Sequence, residues 1–501
     1  MKMSPLILAS TALLCTLIMS TPTSADIFTA DRQFNEGEYD AAKQGYLAAA
    51  ELGNPHAYYQ LANIYHKGLG TEKDPINSML YFYLAAEQKF HNSESVINTI
   101  LESLPHESKA SVKRLLDEHL ETHGQVRINE KYFPVVNANA LNTQLTFDGE
   151  PSLETAFYPE DIEIEDFLPP EMSGVGTFGS DGSDEFVDDS LGLVVSTPKT
   201  PFLIIDHDIE PDGSIRYYSE VQKFGYYQPL VEQFKQFGLP VPAFNDAPTH
   251  FASRSYLGAA AFNKFTLHQK NEGLYEQVIK NHRKFRQSDD INNRFHLAML
   301  MLNFPWVNQT ENEAENILLS LSKLGHSPAM YEYGFKLYRE QREIDQAVYW
   351  ISEASKYGLM RAEYRLAKIL QSSPWVTNDE TKALYWFESA MAKGNTLARI
   401  RAAEILFTTE DETLANYDLA IEYLDVLDEV TPKSPEYYYL NALKYKSGSH
   451  RNIKLAVENL ETAIRRAQIA NWDVSQWQEL LRKITTGTIF VTDYEAEVEG
   501  G

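Results

Sequence analysis

The chain has 501 residues, 43% hydrophobic and 12% aromatic, with 44 Lys and Arg against 71 Asp and Glu for a formal charge of −27. That composition is too apolar for a disordered chain and too poor in Gly and Pro for a fibrous one, and its negative charge repels phosphate backbones and anionic lipid. A soluble globular protein remains, of about three units at roughly 100–200 residues each.

Leu6 to Met19 is apolar over 14 residues. That is too short for a spanning helix, which needs about 20, and right for the core of a secretory signal. Ser10, Thr11 and Thr16 interrupt the run and count against an uncleaved anchor. Thr23-Ser24-Ala25 supplies small or modest side chains at the positions a signal peptidase inspects, so cleavage is predicted before Asp26. Cys15 is the one cysteine, preceded by Leu14 rather than by the small residue of a lipidation site. The mature chain therefore has no disulfide, Cys metal site or thiol nucleophile, and an exported, periplasmic protein is expected.

The next stretch carries a helical register. Ala42, Gly45, Ala49 and Gly53 are followed by Ala57, Leu61-Ala62 and Tyr65, with steps of three and four that keep to one helix face. Gly68-Leu69-Gly70 reads as a turn between helices rather than a phosphate cradle, since it lacks a third glycine and a preceding strand. His106-Glu107 is followed by Ala110, so no zincin motif forms.

Between Tyr132 and Pro198 there is no Lys or Arg, while 14 acids run from Asp148 to Asp189. Pro169-Pro170 and the glycines from Gly174 to Gly182 predict a long loop. Asp181, Asp184 and Glu185 lack the twelve-residue spacing of a calcium loop, which makes a solvated acidic segment the expected state.

Phe202 to Ile209, the turn Pro211-Asp212-Gly213 and Ser214 to Ser219 predict a β-hairpin. Leu230, Val231, Phe234 and Phe237 then recur at helical spacing before Pro240-Val241-Pro242-Ala243-Phe244. This order is similar to the C-terminal domain of TonB-type energy transducers, over residues 201–247. Such transducers also have a membrane anchor and a long Pro-rich basic spacer, which are absent here, so the resemblance implies a small α+β fold and not energy transduction. Asp206, Asp208 and Glu210 surround His207 in sequence, but on a strand alternate side chains point to opposite faces, which argues against a shared metal.

The register returns after residue 290. Gly325, Gly358 and Gly394, spaced by 33 and 36 residues, are each followed four residues later by Ala329, Ala362 and Ala398. Each is preceded by a second register, as in Ala347, Trp350, Ala354 and Ala383, Trp386, Ala390. Ala420 to Leu427 and Ala456 to Ala463 continue it. The segment from Gly53 through Gly68-Leu69-Gly70 to Asp74 resembles a Sel1-like repeat, a relative of the tetratricopeptide repeat, and the later units resemble it in both helices. The resemblance implies helix pairs stacked into a superhelix, a scaffold with helix A on its concave side that binds protein and requires no catalysis.

The expected fold is therefore mainly α, a solenoid of Sel1/TPR-like helix pairs interrupted by an acidic loop and a small α+β insert. The chain divides into a signal peptide (1–25), N-terminal repeats (26–125), an acidic linker (126–200), the α+β segment (201–247), a C-terminal solenoid (248–485) and an acidic tail (486–501). Tyr59, Tyr331 and Tyr364 recur in register and are expected to pack between helices. Arg361, Arg365, Arg399 and Arg401 fall on helix A of two adjacent units and are the candidate partner-binding residues. They are expected to form an exposed, salt-sensitive strip that receives acidic sequence, from the 148–189 segment or from a partner. No catalytic motif and no cofactor is indicated. The expected function is a periplasmic protein-binding adaptor in envelope assembly or transport. The alternatives are a TonB-related component that touches outer-membrane receptors through the 201–247 strand edge, and an enzyme or binding protein for envelope glycans.

Overall fold

The computed structural model describes residues 26–148, 200–236, 239–429 and 433–486. The apolar leader, the acids beyond Asp148 up to Asp189 and nearly all of the acidic tail lie outside them. The N-terminal block is all helical: α1 (Ile27–Glu36), α2 (Tyr39–Glu51), α3 (Pro55–Lys67), α4 (Pro75–Glu87), α5 (Ser93–Ser103), α6 (His106–His123) and α7 (Gln125–Tyr132). Local chemistry sets the boundaries. Asn54 accepts the Ala57 N–H at the start of α3, Pro55 occupies the first helical position, and Gly68 ends the helix in the left-handed conformation.

The insert follows. Strands β1 (Thr146–Phe147), β2 (Phe202–Ile209), β3 (Ile215–Phe224), β4 (Pro242–Phe244), β5 (Ala247–Pro248) and β6 (Phe251–Gly258), with helix α8 (Gln228–Gln236) after β3, form two antiparallel sheets. Their orders are β1-β4-β5 and β3-β2-β6. The hairpin turn needs Gly213, whose φ is +76° and whose missing Cβ would lie 2.3 Å from the Leu239 carbonyl oxygen. Leu203, Ile205, Ile215 and Leu257 pack on Leu230, Val231 and Phe234 of α8 as a separate small core. The opposite face of β2 is covered by the solenoid, so all eight β2 residues are buried.

The solenoid then runs through α9 (Lys264–Lys270), α10 (Glu272–Arg286), α11 (Ile291–Asn303), α12 (Glu313–Lys323), α13 (Ser327–Arg339), α14 (Ile344–Lys356), α15 (Met360–Ser372) and α16 (Glu380–Ala392). It continues through α17 (Thr396–Thr408), α18 (Tyr417–Val426), α19 (Pro435–Lys446), α20 (Ile453–Ile469) and α21 (Ser475–Thr485), each helix packing on the next in chain order. Small residues permit the approach: a Cβ at Gly334 on α13 would stand 2.9 Å from the Ala347 carbonyl oxygen and 3.0 Å from the Ile351 nitrogen of α14.

Two boundaries differ from the sequence reading. The sequence places the start of the solenoid at residue 248, yet 251–258 is β6, the third strand of the insert's sheet. The 126–200 linker holds most of α7 and all of β1. The N-terminal block, moreover, does not stack ahead of α9 but docks on the side of the later repeats. Asn54 donates to the Lys356 carbonyl at 3.0 Å, Trp386 Nε1 to the Tyr132 carbonyl at 2.7 Å, and Trp375 Nε1 to the Thr143 carbonyl at 2.9 Å. Segment 133–147 thus threads over Trp375 and Trp386 to reach the insert.

Candidate functional site

The centre of the molecule is a ladder of charges between β2 and the inner helices. Asp206 and Asp208 on β2 and Glu210 just beyond its end occupy alternate positions and face one way. Along α15, Arg361, Tyr364, Arg365 and Lys368 share one helix face at steps of three and four. Two strand residues advance about 6.7 Å and one helical turn about 5.4 Å, so a strand laid beside a helix stays close to register for three rungs. The rungs form. Arg361 Nη2 donates to Asp206 Oδ2 at 2.6 Å, Arg365 Nη1 to Asp208, and Lys368 Nζ stands 3.9 Å from Glu210 Oε1.

Neighbouring elements close the ladder at both ends. Arg254 of β6 binds Asp206 through two nitrogens and Glu332 of α13 through a third. Arg401 of α17 reaches Glu210 at 3.3 Å and Glu404 at 2.7 Å. It lies 3.7 Å over the ring of Tyr217, which sits at φ +52° where β3 bulges opposite His207. Tyr331 and Tyr364 donate their hydroxyls to Asp206 and Asp208 at 3.1 and 2.9 Å. These tyrosines therefore serve the insert as well as helix packing, and Tyr59 instead donates to Asn92 at 3.0 Å.

Burial alone would raise the Asp206 and Glu210 carboxyls. The facing groups overcome it, the Arg254 and Arg361 guanidiniums at Asp206 and Lys368, the hydrogen-bonding His250 ring and Arg401 at Glu210, and hold both well below the usual carboxylate range. Tyr331 and Tyr364 are pushed up by burial first and then by Asp206 and Asp208 respectively. His207 points the other way, with Nε2 3.0 Å from Ser255 Oγ and its ring against Phe234, as strand alternation requires.

The arginine strip is corrected in three respects. Arg365 and Arg401 are not exposed, with side chains only 3% and 8% accessible, while Arg361 retains 27%. The acidic sequence they receive is β2, and the 148–189 segment lies outside the described residues except for Asp148, which accepts the Val241 N–H. Arg399 is two residues, hence about 200° around the helix, from Arg401. It faces α18, where Tyr423 acts on it, and burial lowers its pKa. The sequence reading missed β2 as the strip's partner, and the signal that could have found it is three acids at alternate positions in a segment that is apolar apart from His207, which must meet cations on that face.

Among the described residues no group of three or more His, Cys, Asp or Glu could hold a metal ion, and no helix is long and apolar enough to cross a membrane.

Comparison with known proteins places the Sel1 repeat model on residues 55–90, 319–358 and 361–395, wholly outside the insert. No curated protein matches the chain. Among solved structures, a Sel1 repeat protein from Oxalobacter formigenes is 14% identical, covering 43% of this chain and 98% of its own, with a TM-score of 0.31. A protective antigen of uropathogenic Escherichia coli strains, displaying an SLR fold, is 14% identical over 95% of this chain and 89% of its own, with a TM-score of 0.26. Yeast Tom70 is 14% identical over 92% and 94%, also with a TM-score of 0.26.

Proposed function

We propose that this Sel1-repeat scaffold is an exported adaptor in envelope assembly or transport, which grips a β-insert on its inner helical face and meets a protein partner along the insert's free edge. The observation that carries this is the ladder. The surface on which an open solenoid would take an extended partner segment is already filled, rung by rung, by β2. The partner surface must then lie elsewhere. At the edge of the sheet, next to the Arg361–Glu332 end of the ladder, β3 has no strand on its outer side among the described residues. Val221, Gln222, Lys223 and Phe224 all line a cleft of about 560 Å³ there, and successive residues line one space when a strand presents its edge rather than a face. The opposite wall is mixed, with Leu274 and Phe285 of α10 and Phe295 and Met299 of α11 beside Gln277, Asn281, His296 and Asn303, the last donating to Gln222 at 3.2 Å. An extended partner segment pairs with the strand edge and places alternate side chains in the groove. Export is supported by the apolar leader and by a mature chain free of cysteine.

The experiment is affinity capture from envelope extract with the exported protein, whose intact mass is expected to begin at Asp26. A protein captured by the wild type and lost with Val221→Pro, which removes a backbone N–H from β3, carries the reading; equal capture by both overturns it. The same edge favours one further reading, contact with outer-membrane receptors in the manner of a TonB-related component. Receptors among the Val221-dependent captures would support it.

A further inference from the structure

Beyond the hairpin tip, the insert and the last repeats enclose a second space that a protein-binding scaffold does not require. It is a cleft of about 470 Å³ between Pro211 and Asp212 of the turn, α15, α17, α19 and the junction of α20 with α21. Its chemistry is unlike that of the β3 groove. Aliphatic lining is confined to Pro211 and Ile405, and the rest is charged, amide, hydroxyl or aromatic. Six carboxylates face three Lys and Arg side chains, which excludes a phosphate ligand on charge.

Three features point inward. Lys368 is 5% exposed and lines the cleft; its ammonium makes only the 3.9 Å ion pair with Glu210 and a cation–π contact with Tyr217, and it donates no hydrogen bond to any described residue. An ammonium has three donors, so this buried group is under-used. Trp477, stacked on Tyr439 with centroids 4.9 Å apart, supplies a flat aromatic wall. Glu404, Glu436 and Asp473 bring acceptors to the same space, and Gln371 and Gln476 bring amides that both donate and accept.

An apolar ligand would leave these groups unpaired, and a basic side chain drawn by the carboxylates would meet Lys368 and Arg401. A polyhydroxyl ring uses both polarities at once and lays its C–H face on an indole. We propose that this cleft is a saccharide-binding site, with sugar hydroxyls bonded to Lys368, Glu404 and Asp473 and the ring seated on Trp477.

The test uses the full exported chain on an array of neutral, amino and uronic-acid oligosaccharides, followed by titration of maltotriose, N,N′-diacetylchitobiose and digalacturonic acid, with trilysine and inorganic phosphate alongside. At least one saccharide is expected to bind saturably, with Kd raised at least about tenfold in Lys368→Met and in Trp477→Ala. Gln476→Ala changes an exposed rim residue outside the packed core, so it tests the site if either of the others fails to fold, and weaker binding is expected. No saccharide bound, binding unchanged in the variants that fold, or preferential binding of trilysine would overturn the assignment.

Discussion

Arg254 on β6 and Asp206 on β2 face each other across neighbouring strands with two parallel hydrogen bonds, Nε to Oδ1 at 2.6 Å and Nη2 to Oδ2 at 3.1 Å. The remaining nitrogen, Nη1, donates to Glu332 Oε2 on α13 at 2.7 Å. One buried guanidinium therefore joins two strands of the insert to α13 of the solenoid. Asp206 is shared in turn with Tyr331 and Arg361.

Removing Arg254 leaves two buried carboxylates short of a partner. Arg254→Met is expected to destabilise the protein by about 3–5 kcal/mol, the usual cost of breaking one side of a buried pair. Adding Asp206→Leu should recover part of that loss, since it removes one of the stranded charges. Chemical denaturation of the two single variants and the double variant gives the coupling, and strict additivity would contradict the geometry.

Charge reversal addresses the other end of the ladder. Arg365→Glu with Arg401→Glu places like charges against Asp208, Glu210 and Glu404, so hydrogen exchange across 202–224 is expected to accelerate strongly while α3 and α4 keep their protection. Added salt should do far less. Screening acts on exposed pairs over a Debye length of about 10 Å at 0.1 M, and these rungs are closed to solvent. An acceleration in wild type at 0.5 M salt, comparable with that of the double reversal, would show that the strip is as exposed as the sequence had suggested.

The sequence revealed the solenoid because its glycine and alanine register is local to each helix pair, and the hairpin because Pro211-Asp212-Gly213 encodes its own turn. It concealed β6, whose alternation is broken by Arg254. An arginine in a strand reads as solvent-facing until Asp206, 48 residues earlier, is known to lie opposite. The arginine strip is legible as a receptor for acids, but its link to the strand 202–209 is not, because Asp206, His207, Asp208 and Glu210 read first as a metal set. Their failure as a metal set, alternate faces, was itself the sign that both aspartates point into the helices. Side docking of the N-terminal block was not legible at all, for it runs through Trp and Asn side chains to backbone carbonyls, which leave no pattern in sequence.

Acid should loosen the sheet through His207. Burial lowers its pKa from 6.5 to about 4, against the pull of Asp208 and Asp206. In the unfolded chain it protonates near 6.5, so between pH 6.5 and 4 the native state binds fewer protons and stability falls as pH falls. At about 1.4 kcal/mol per unit the loss is on the order of 3 kcal/mol across that window. Below it, Asp206, held low by its arginines, adds a further loss as acid titrates it. His119, His282 and His326 are also lowered, mainly by burial, and slope the same way. The decisive measurement is thus a difference: His207→Gln should have a flatter stability profile than wild type from pH 6.5 to 4, and parallel profiles would remove His207 from the account.

The N-terminal block is tied to the solenoid by bonds that a conservative change can cut. Trp386 is fully buried, with Nε1 2.7 Å from the Tyr132 carbonyl and its ring 5.5 Å from that of Phe133. Phenylalanine preserves most of the ring packing but strands that carbonyl, at a cost of about 1–3 kcal/mol. Trp375→Phe does the same at Thr143, ten residues along the connecting segment from Phe133. If the block is docked as described, the two changes together should expose 133–147 to limited proteolysis and lower the thermal transition, while helices α17–α21 stay protected in hydrogen exchange. Were the blocks independent domains on a linker, 133–147 would already be cut in the wild type, and the two substitutions would leave the cleavage rate unaltered.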